Sequence, residues 1–176
     1  MIVIGVGFKK RVGKDTCYEI IRDMFPDRQV KRIAFADPLK EEIYELFLKP
    51  FGLEKSILDD TKYKDLVRPL MQGWGSMRRE FFDQNYWIKK AFDQINDDNT
   101  IYVITDVRYY NELLYLKDHN GISIRVIRDS VADLNESHVS EKELEEYLDL
   151  FDFHIENNGT LEEYVEKVQN LIYGIV

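Results

Sequence analysis

The N-terminal strand, loop and helix constrain the fold of this chain more than any other stretch. The apolar run at residues 1–4 predicts a buried strand. A basic, glycine-containing turn occupies residues 5–16, and helical spacing then puts Cys17, Ile20 and Ile21 on one side. In such a unit the loop N–H groups and the positive end of the helix dipole face one point, where an anion binds well. The segment therefore predicts a phosphate-binding loop.

This loop matches the general P-loop pattern, G-x-x-x-x-G-K-[ST], with two departures. Asp15 follows Gly13-Lys14, with Thr16 behind it, and Phe8 occupies the position of the first glycine. We expect Lys14 to reach the outer phosphates. Mg²⁺ could bind Asp15 directly or through water, could bind Thr16, or could be bound mainly by the nucleotide. A glycine-rich turn that only begins a helix is the structural alternative.

Composition limits the class of protein. A length of 176 residues predicts one domain with a substantial core, and 44% hydrophobic and 32% charged residues are ordinary for a globular protein. We expect no membrane segment and no signal peptide, because no apolar run is long enough and the N-terminus enters a strand. The single cysteine excludes an internal disulfide and fits a reducing compartment.

The charge of the chain is strongly uneven. A net charge of −9 argues against polymeric nucleic acid as a partner. Yet Lys9, Lys10, Arg11 and Lys14 cluster in one loop. Local positive charge on an acidic protein suits a small, multiply charged anion.

Further strands and helices alternate along the rest of the chain. Strands are predicted at 30–35, 101–105, 122–127 and 151–156. Residues 37–98 contain no convincing strand, and their helical spacing, broken at 50–52 and 73–75, predicts a helical insertion in a single domain. Residues 129–139 are polar and predict a loop.

Capping signals predict where several helices begin and end. Asp37 is expected as an N-cap with Pro38 at the first helical position. Ser140 is expected to open an acidic helix through a capping box, and Thr160 to cap the final helix. Gly121 is expected to end the helix that follows the third strand.

Several polar and aromatic residues are candidates for ligand binding. Asp106 ends a hydrophobic strand beside the loop and could bind Mg²⁺ or its water, while Arg108 could reach the same phosphates; a salt bridge between the two is the alternative. Arg68 lies one helical turn before Gln72, and a guanidinium binds phosphate bidentately. We predict that Trp87 belongs to the core.

Short motifs occur in one order along nearly the whole chain. They are Gly13-Lys14-Asp15-Thr16, Phe35-Ala36-Asp37-Pro38-Leu39-Lys40, Arg68-Pro69-Leu70-Met71-Gln72 with Gly73-Trp74-Gly75, Tyr86-Trp87-Ile88-Lys89, Asp106-Val107-Arg108 with Asn111-Glu112, and His138-Val139-Ser140-Glu141. Together they resemble the bacteriophage deoxynucleoside monophosphate kinases, P-loop enzymes that move a phosphoryl group from ATP to a dNMP. Asp15 looks like this family's own form of the loop, whereas Phe8 departs from the glycine more often seen there.

The resemblance implies a three-layer α/β fold, in which a parallel five-stranded sheet of order 2-3-1-4-5 has helices on both sides. It implies that 37–98 is the monophosphate-binding region and that 129–139 is a short lid. It also implies Mg²⁺ with ATP as co-substrate and, for a phage product, the host bacterial cytoplasm. Monomer and homodimer both stay open.

Residue roles follow from the same resemblance, and no side chain need act as a nucleophile. The expected catalytic residues are Lys14, Asp106, Arg108 and Arg128. ATP binding is expected from Arg11, Val12, Gly13, Lys14, Asp15 and Thr16, dNMP binding from Asp37, Lys40, Arg68, Gln72, Trp74 and Arg108, and metal binding from Asp15, Thr16 and Asp106.

Three other readings stay open at this point. Animal-type phosphomevalonate kinases share a Gly-Lys-Asp loop, and dephospho-CoA kinases share the general layout. A nucleotide-binding module without catalysis is a further alternative, although it would not need a second arginine-lined pocket. A purely structural α/β domain leaves Lys14, Asp106 and Arg108 unexplained.

Overall fold

Parallel strands form one sheet in this protein. The computed structural model describes residues 1–7, 9–132 and 143–176. The strands are β1 (Ile2–Gly7), β2 (Val30–Ile33), β3 (Ile101–Val107), β4 (Ile122–Ile127) and β5 (Phe153–Glu156). The sheet is five-stranded, with the order β2-β3-β1-β4-β5 and parallel pairing throughout, which confirms the predicted topology.

Helices connect these strands. They are α1 (Lys14–Met24), α2 (Ala36–Ile43), α3 (Lys64–Phe81), α4 (Tyr86–Phe92), α5 (Tyr110–Asp118), α6 (Asp129–Ala132) and α7 (Leu161–Tyr173). A π-helical turn at Tyr44–Leu48 continues α2, and 3-10 helices lie at Lys49–Phe51, Lys55–Leu58 and Glu143–Leu150. Within the described ranges, no helix has the length and apolarity needed to cross a membrane.

The chain divides into two compact units. The first comprises Met1–Ile33 and Ile95–Val176 and contains the whole sheet. The second, Ala34–Gln94, is built from helices alone. Each unit has its own hydrophobic core. The assignment of 37–98 as a monophosphate-binding insertion stays a prediction.

The core of the first unit lies on both faces of the sheet. On one face Ile4 and Val6 pack with Ile21 of α1 and Val168 of α7. Because alternate strand residues point to opposite faces, Gly5 belongs to the other face, where the side chain of Leu116 from α5 lies against its Cα. Helices on both sides of a parallel sheet explain why its strands are continuous apolar runs, since neither face reaches water.

The second unit is organised around α2 and α3. Its core contains Ile43, Leu48, Leu58 and Val67. The predicted break at 73–75 is wrong, because α3 runs through it as one helix of 18 residues. A Cβ on Gly75 would lie only 3.3 Å from the Leu39 side chain, so this glycine lets α2 approach closely. Packing there outweighs the low helix propensity of glycine.

Trp87 and Cys17 are buried as predicted. Trp87 is 4% exposed and its Nε1 donates to the carbonyl of Gly75 at 3.0 Å. Cys17 is fully buried on the inner side of α1. Both side chains therefore belong to cores.

Several predicted boundaries differ from the structure. The strand β1 continues to Gly7, whereas β2 ends at Ile33 and β5 begins only at Phe153. The two glycines of β1 interrupt its apolar run, so the sequence pattern predicted only the first half of the strand. Residues 143–150 form a 3-10 helix with a kink at Tyr147, instead of the expected α-helix, and Ser140 lies outside the described residues.

The predicted cap at Asp37 is also wrong. Phe35 already has helical dihedral angles and is the N-cap, so α2 begins at Ala36 and Asp37 lies in its first turn. Asn120, with φ of 56°, takes the left-handed conformation after α5 instead of Gly121. The cap at Thr160 is confirmed, because its side chain accepts from the backbone N–H of Glu163.

Candidate active site

The loop between β1 and α1 has the backbone of an anion site. Arg11 and Gly13 have φ of 58° and 105°, the left-handed region in which successive N–H groups can converge. The helix α1 begins at Lys14 directly after Gly13, so its N-terminus belongs to the loop. Phe8 lies outside the described residues.

Lys14 is folded over this loop. It is only 8% exposed, and its Nζ donates to the backbone carbonyl of Lys9. A buried ammonium needs such partners because leaving it without one is costly. An anionic ligand of the loop would offer Nζ oxygen partners of opposite charge.

Two side chains that are remote in sequence bind the loop carbonyls. Asn157 Nδ2 donates to Val12 O at 2.8 Å, and the Tyr164 hydroxyl donates to Gly13 O at 3.0 Å. Cys17 and Tyr164 belong to the same buried core cluster. Burial raises the pKa of Cys17 to about 12 and also raises that of Tyr164, so both groups are neutral and can donate.

The sheet order places further candidate residues next to the loop. β3 and β4 flank β1, so Asp106 near the end of β3 and Arg108 directly after it lie on one side of β1, and Arg128, directly after β4, lies on the other. Open α/β sheets bind ligands at this edge. Asp106 and Arg108 are half-buried, and Arg128 is exposed.

Asp106 lies at an irregularity in β3. Gly5 pairs with Ile104, but Gly7 pairs with Val107, so β3 has one residue more than β1 between these pairs. Bulges of this kind re-aim side chains and are frequent beside active sites. The neighbouring Thr105 is 3% exposed, and its hydroxyl has no hydrogen-bond partner among the described atoms.

Glu112 fixes the turn that carries Arg108. Its Oε2 accepts from the backbone N–H groups of Arg108 at 2.7 Å and Tyr109 at 3.0 Å. Burial, followed by the nearby Asp106 carboxylate, raises the pKa of Glu112 to about 8, although the two N–H groups oppose the shift. The sequence analysis assigned no role to Glu112; its position at the third residue of α5 was the available signal.

The oxygen donors at this edge fit Mg²⁺ held jointly with a nucleotide. Asp15 extends from the first turn of α1 with a side chain 82% exposed, 3.7 Å from Arg32, and Thr16 is half-buried behind it. The Asp106 carboxylate near the end of β3 is a second hard oxygen donor. Among the described residues no cluster of three His, Cys, Asp or Glu could bind a metal alone. Mg²⁺ typically uses one or two carboxylates together with substrate phosphates.

The other candidates lie in the second unit. Asp37 and Lys40 are half-buried on α2, and Lys40 Nζ pairs with Asp59 Oδ1 at 2.6 Å. Arg68 and Gln72 lie on α3 one turn apart, half-buried and exposed respectively. Their contact with a nucleotide stays a prediction.

Trp74 belongs to a cluster around Glu42. Trp74 Nε1 and Arg78 Nε each donate to Glu42 Oε2 at 3.0 Å, and the Tyr86 hydroxyl donates to Oε1. The Arg78 guanidinium lies 4.8 Å from the Trp74 ring centre. Burial alone would raise the pKa of Glu42, but the bonds from Tyr86, Trp74 and Arg78 lower it. Sequence analysis missed Glu42, since its partners are 32 to 44 residues away.

The predicted lid is only partly described. Arg128 directly follows β4 and precedes α6, whose first residue, Asp129, donates its backbone N–H to the Asn158 side chain at 2.8 Å. Residues 133–139 of the predicted lid lie outside the described residues. The lid stays a prediction.

Two shikimate kinases are among the solved structures that share this fold. The shikimate kinase of Aquifex aeolicus matches with a TM-score of 0.52 and 15% identity, over 99% of this chain and 97% of that one. The shikimate kinase of Bacteroides thetaiotaomicron matches with a TM-score of 0.54 and 9% identity, over 98% of both chains. Sheet order, glycine loop and buried lysine together define the fold class of the P-loop kinases.

The chain belongs to the phosphomevalonate kinase family, whose model matches residues 6–121. A protein of Acanthamoeba polyphaga mimivirus, provisionally named deoxynucleotide monophosphate kinase, is 28% identical over 96% of this chain and 94% of its own length. The deoxynucleotide monophosphate kinases of Escherichia phage RB69 and Enterobacteria phage T4 are 28% and 30% identical over 72% and 69% of this chain. This chain spans about half the length of the two phage enzymes, at 53% and 52%.

Proposed function

We propose that this protein is a deoxynucleoside monophosphate kinase, which transfers the γ-phosphoryl group of ATP to a dNMP. The observation that supports this most is the similarity to the mimivirus protein, because it extends over 96% of this chain and includes both structural units. A family match to residues 6–121 and the fold of P-loop kinases agree with phosphotransfer.

The reaction needs alignment more than it needs a nucleophilic side chain. An oxygen of the dNMP phosphate forms a bond to the γ-phosphorus of ATP while the bond from that phosphorus to the β,γ-bridging oxygen breaks. ADP leaves with the electron pair, and the acceptor becomes a dNDP. Catalysis then consists of positioning both phosphates and stabilising the charge on the transferred group.

The loop residues would bind ATP. N–H groups of residues 11–16 and the N-terminus of α1 would contact the β- and γ-phosphates, and Lys14 would exchange its bond to the Lys9 carbonyl for phosphate oxygens. Asp15 or Thr16, together with Asp106 and the phosphates, would hold Mg²⁺, and the charge of the ion would then offset that of the phosphates. Asp106 would orient a water molecule or the metal at the carboxyl end of β3.

Arginines would bind the phosphoryl groups. We assign Arg108 and Arg68 to the acceptor phosphate and Arg128, with Arg11, to ATP. Asp37, Lys40, Gln72 and Trp74 would line the dNMP site; the Trp74 N–H is already bound by Glu42, so its contribution would come from the ring face. Because the relatives come from a mimivirus and a phage, we propose the cytoplasm of the host as the compartment.

Phosphomevalonate is the second candidate acceptor, and the family match is the observation that favours it. Both acceptors present a phosphate to the same ATP, so the loop does not discriminate between them. Only the dNMP offers a base to the aromatic residues of the second unit.

An ADP-release assay with ATP, Mg²⁺ and each candidate acceptor tests the proposal. We expect ADP to depend on one or more of dTMP, dGMP, dCMP and dAMP, and expect Lys14→Ala to abolish it by more than about a thousandfold. The ribonucleotides belong in the same series. Turnover with phosphomevalonate alone would move the protein to the second candidate, and no turnover with any acceptor would refute the kinase assignment.

A further inference from the structure

Two side chains from the C-terminal part of the first unit donate hydrogen bonds to backbone carbonyls of the phosphate-binding loop. Asn157 directly follows β5, and Tyr164 lies near the start of α7. They donate to the carbonyl oxygens of Val12 and Gly13 at 2.8 and 3.0 Å. We call Asn157 and Tyr164 the loop anchor.

The bonded carbonyls determine where two loop N–H groups point. In a planar trans peptide unit the C=O and the N–H lie on opposite sides. The Val12 carbonyl shares its peptide unit with the Gly13 N–H, and the Gly13 carbonyl shares its unit with the Lys14 N–H. The Gly13 carbonyl also accepts from the Cys17 N–H at 2.9 Å, the first bond of α1, so Tyr164 reinforces a direction that the helix helps to set, and Asn157 binds the Val12 carbonyl. The Gly13 and Lys14 N–H groups point away from these bonded carbonyls, as a pair of donors for an anion.

The anchor itself is held firmly. The Asn157 backbone N–H donates to Ile127 O at 2.7 Å, which extends the ladder between β4 and β5. Tyr164 is 2% exposed and lies in the same hydrophobic core as Cys17, and its hydroxyl donates to Gly13 O. A side chain at Gly13 would place its Cβ 2.5 Å from Asn157 Nδ2, so the close contact requires glycine there.

We propose that Asn157 and Tyr164 are positioning residues for the phosphates of ATP, acting through the carbonyls of Val12 and Gly13. Neither residue needs to touch the nucleotide. They fix the loop before ATP arrives, so that less conformational freedom is lost on binding. This inference rests on the proposed function only in taking ATP as the ligand of the loop.

Binding measurements on two variants test the inference. Tyr164→Phe removes the hydroxyl and keeps the ring, and Asn157→Ala removes the amide. Each should raise the dissociation constant for ATP in calorimetry by about fivefold to tenfold, the effect of one lost hydrogen bond of ordinary strength. Inorganic tripolyphosphate should lose affinity to the same extent, because the loop contacts phosphates, while the KM of the acceptor should stay unchanged.

A matched control separates positioning from general loosening of α7. Ile172→Val removes one buried methyl group from the same helix, away from the loop, and Tyr173→Phe alters an exposed tyrosine. Both should bind ATP as the wild type does. The inference is overturned if Tyr164→Phe and Asn157→Ala also bind ATP normally, or if Ile172→Val weakens ATP binding as much as Tyr164→Phe at an equal loss of melting temperature.

The outcome is separable from that of the proposed function. ATP and tripolyphosphate binding are measured without any acceptor. If the protein phosphorylates no dNMP but its two anchor variants lose ATP affinity, the dNMP kinase assignment is refuted and the anchor is supported. If the protein is an active dNMP kinase but its anchor variants bind ATP normally, the anchor is refuted and the dNMP kinase assignment is supported.

Discussion

The side chain of Glu112 binds the backbone N–H of Arg108 at 2.7 Å, four residues earlier in the chain. The same oxygen accepts from Tyr109, so one buried carboxylate shapes the whole turn between β3 and α5. The direction of Arg108, a proposed phosphate ligand, therefore depends on a residue that need not contact substrate.

Removing the Glu112 carboxylate should loosen this turn. We expect Glu112→Ala to lower the free energy of unfolding by about 2 kcal/mol, because two buried N–H groups lose their acceptor. Glu112→Gln should stay within about 1 kcal/mol of the wild type, because a single amide oxygen can accept both bonds. Urea unfolding of both variants measures the difference, and equal losses for the two would show that the oxygen acceptor is not what matters.

Arg108 itself should matter for transfer and little for folding. We expect Arg108→Ala to lower kcat/KM by about 10²-fold to 10³-fold, as expected for a group that stabilises transferred charge. Because Arg108 is half-buried at the carboxyl end of the sheet, Arg108→Ala should change the free energy of unfolding by about 1 kcal/mol or less.

Arg28→Ala is the matched control for Arg108. Arg28 precedes β2 and donates to Asn99 O at 2.8 Å, at the amino ends of the strands. It should leave the turnover unchanged. If Arg108→Ala instead unfolds with loss of the helical circular dichroism signal, Arg108 is structural.

The cluster around Glu42 should stabilise the second unit. Glu42→Ala leaves the N–H groups of Trp74 and Arg78 and the hydroxyl of Tyr86 without their acceptor, so we expect a loss of about 3 kcal/mol. Glu45→Ala, whose partner Lys49 is exposed, should cost about 0.5 kcal/mol or less. Hydrogen exchange of α2, α3 and α4 reports the effect, and unchanged protection there would contradict it.

Asp152 should make stability depend on pH in the acid range. Burial would raise its pKa above the ordinary 3.8, but the bonds from Lys117 and from the Ser123 hydroxyl and N–H lower it further than burial raises it. A lowered pKa in the folded state stabilises the protein above pH 3.8, and this contribution is lost as the pH falls through the folded pKa.

Asp152→Asn provides the measurement. It should be about 1 kcal/mol less stable than the wild type at pH 7. The two stability curves should converge only once the pH has fallen through the lowered pKa of Asp152 in the folded state, where the wild-type carboxyl is protonated. A gap that stays constant down to pH 2 would mean that Asp152 stabilises through its shape alone.

The strands were predictable from sequence because burial on both faces leaves a local signal. β4 was predicted with its observed bounds, and the sheet order followed from a resemblance of ordered motifs. Prediction failed where a distant neighbour decides the local structure. Residues 73–75 stay helical because α2 packs on Gly75, and α2 begins at Ala36 because Phe35 already turns into the helix.

The candidate site was predictable in part for the same reason. Lys14, Asp106 and Arg108 follow strands, so their place at one sheet edge can be inferred from order alone. Glu42 and Glu112 could not be found this way, since each is defined by the groups that surround it in the folded chain. The irregularity beside Asp106 could not be predicted either, because it arises from a shift in the pairing register between β1 and β3.

The loop anchor has a consequence for the order in which the protein matures. Asn157 lies 145 residues after Val12, and Tyr164 lies 151 residues after Gly13. During synthesis the loop leaves the ribosome early and the residues of the loop anchor leave it late. Contacts between residues so far apart in the chain form slowly. A growing chain thus possesses the glycine-lysine motif long before the loop anchor can form, and we expect the loop to reach its full affinity for ATP only when the end of the first unit has docked.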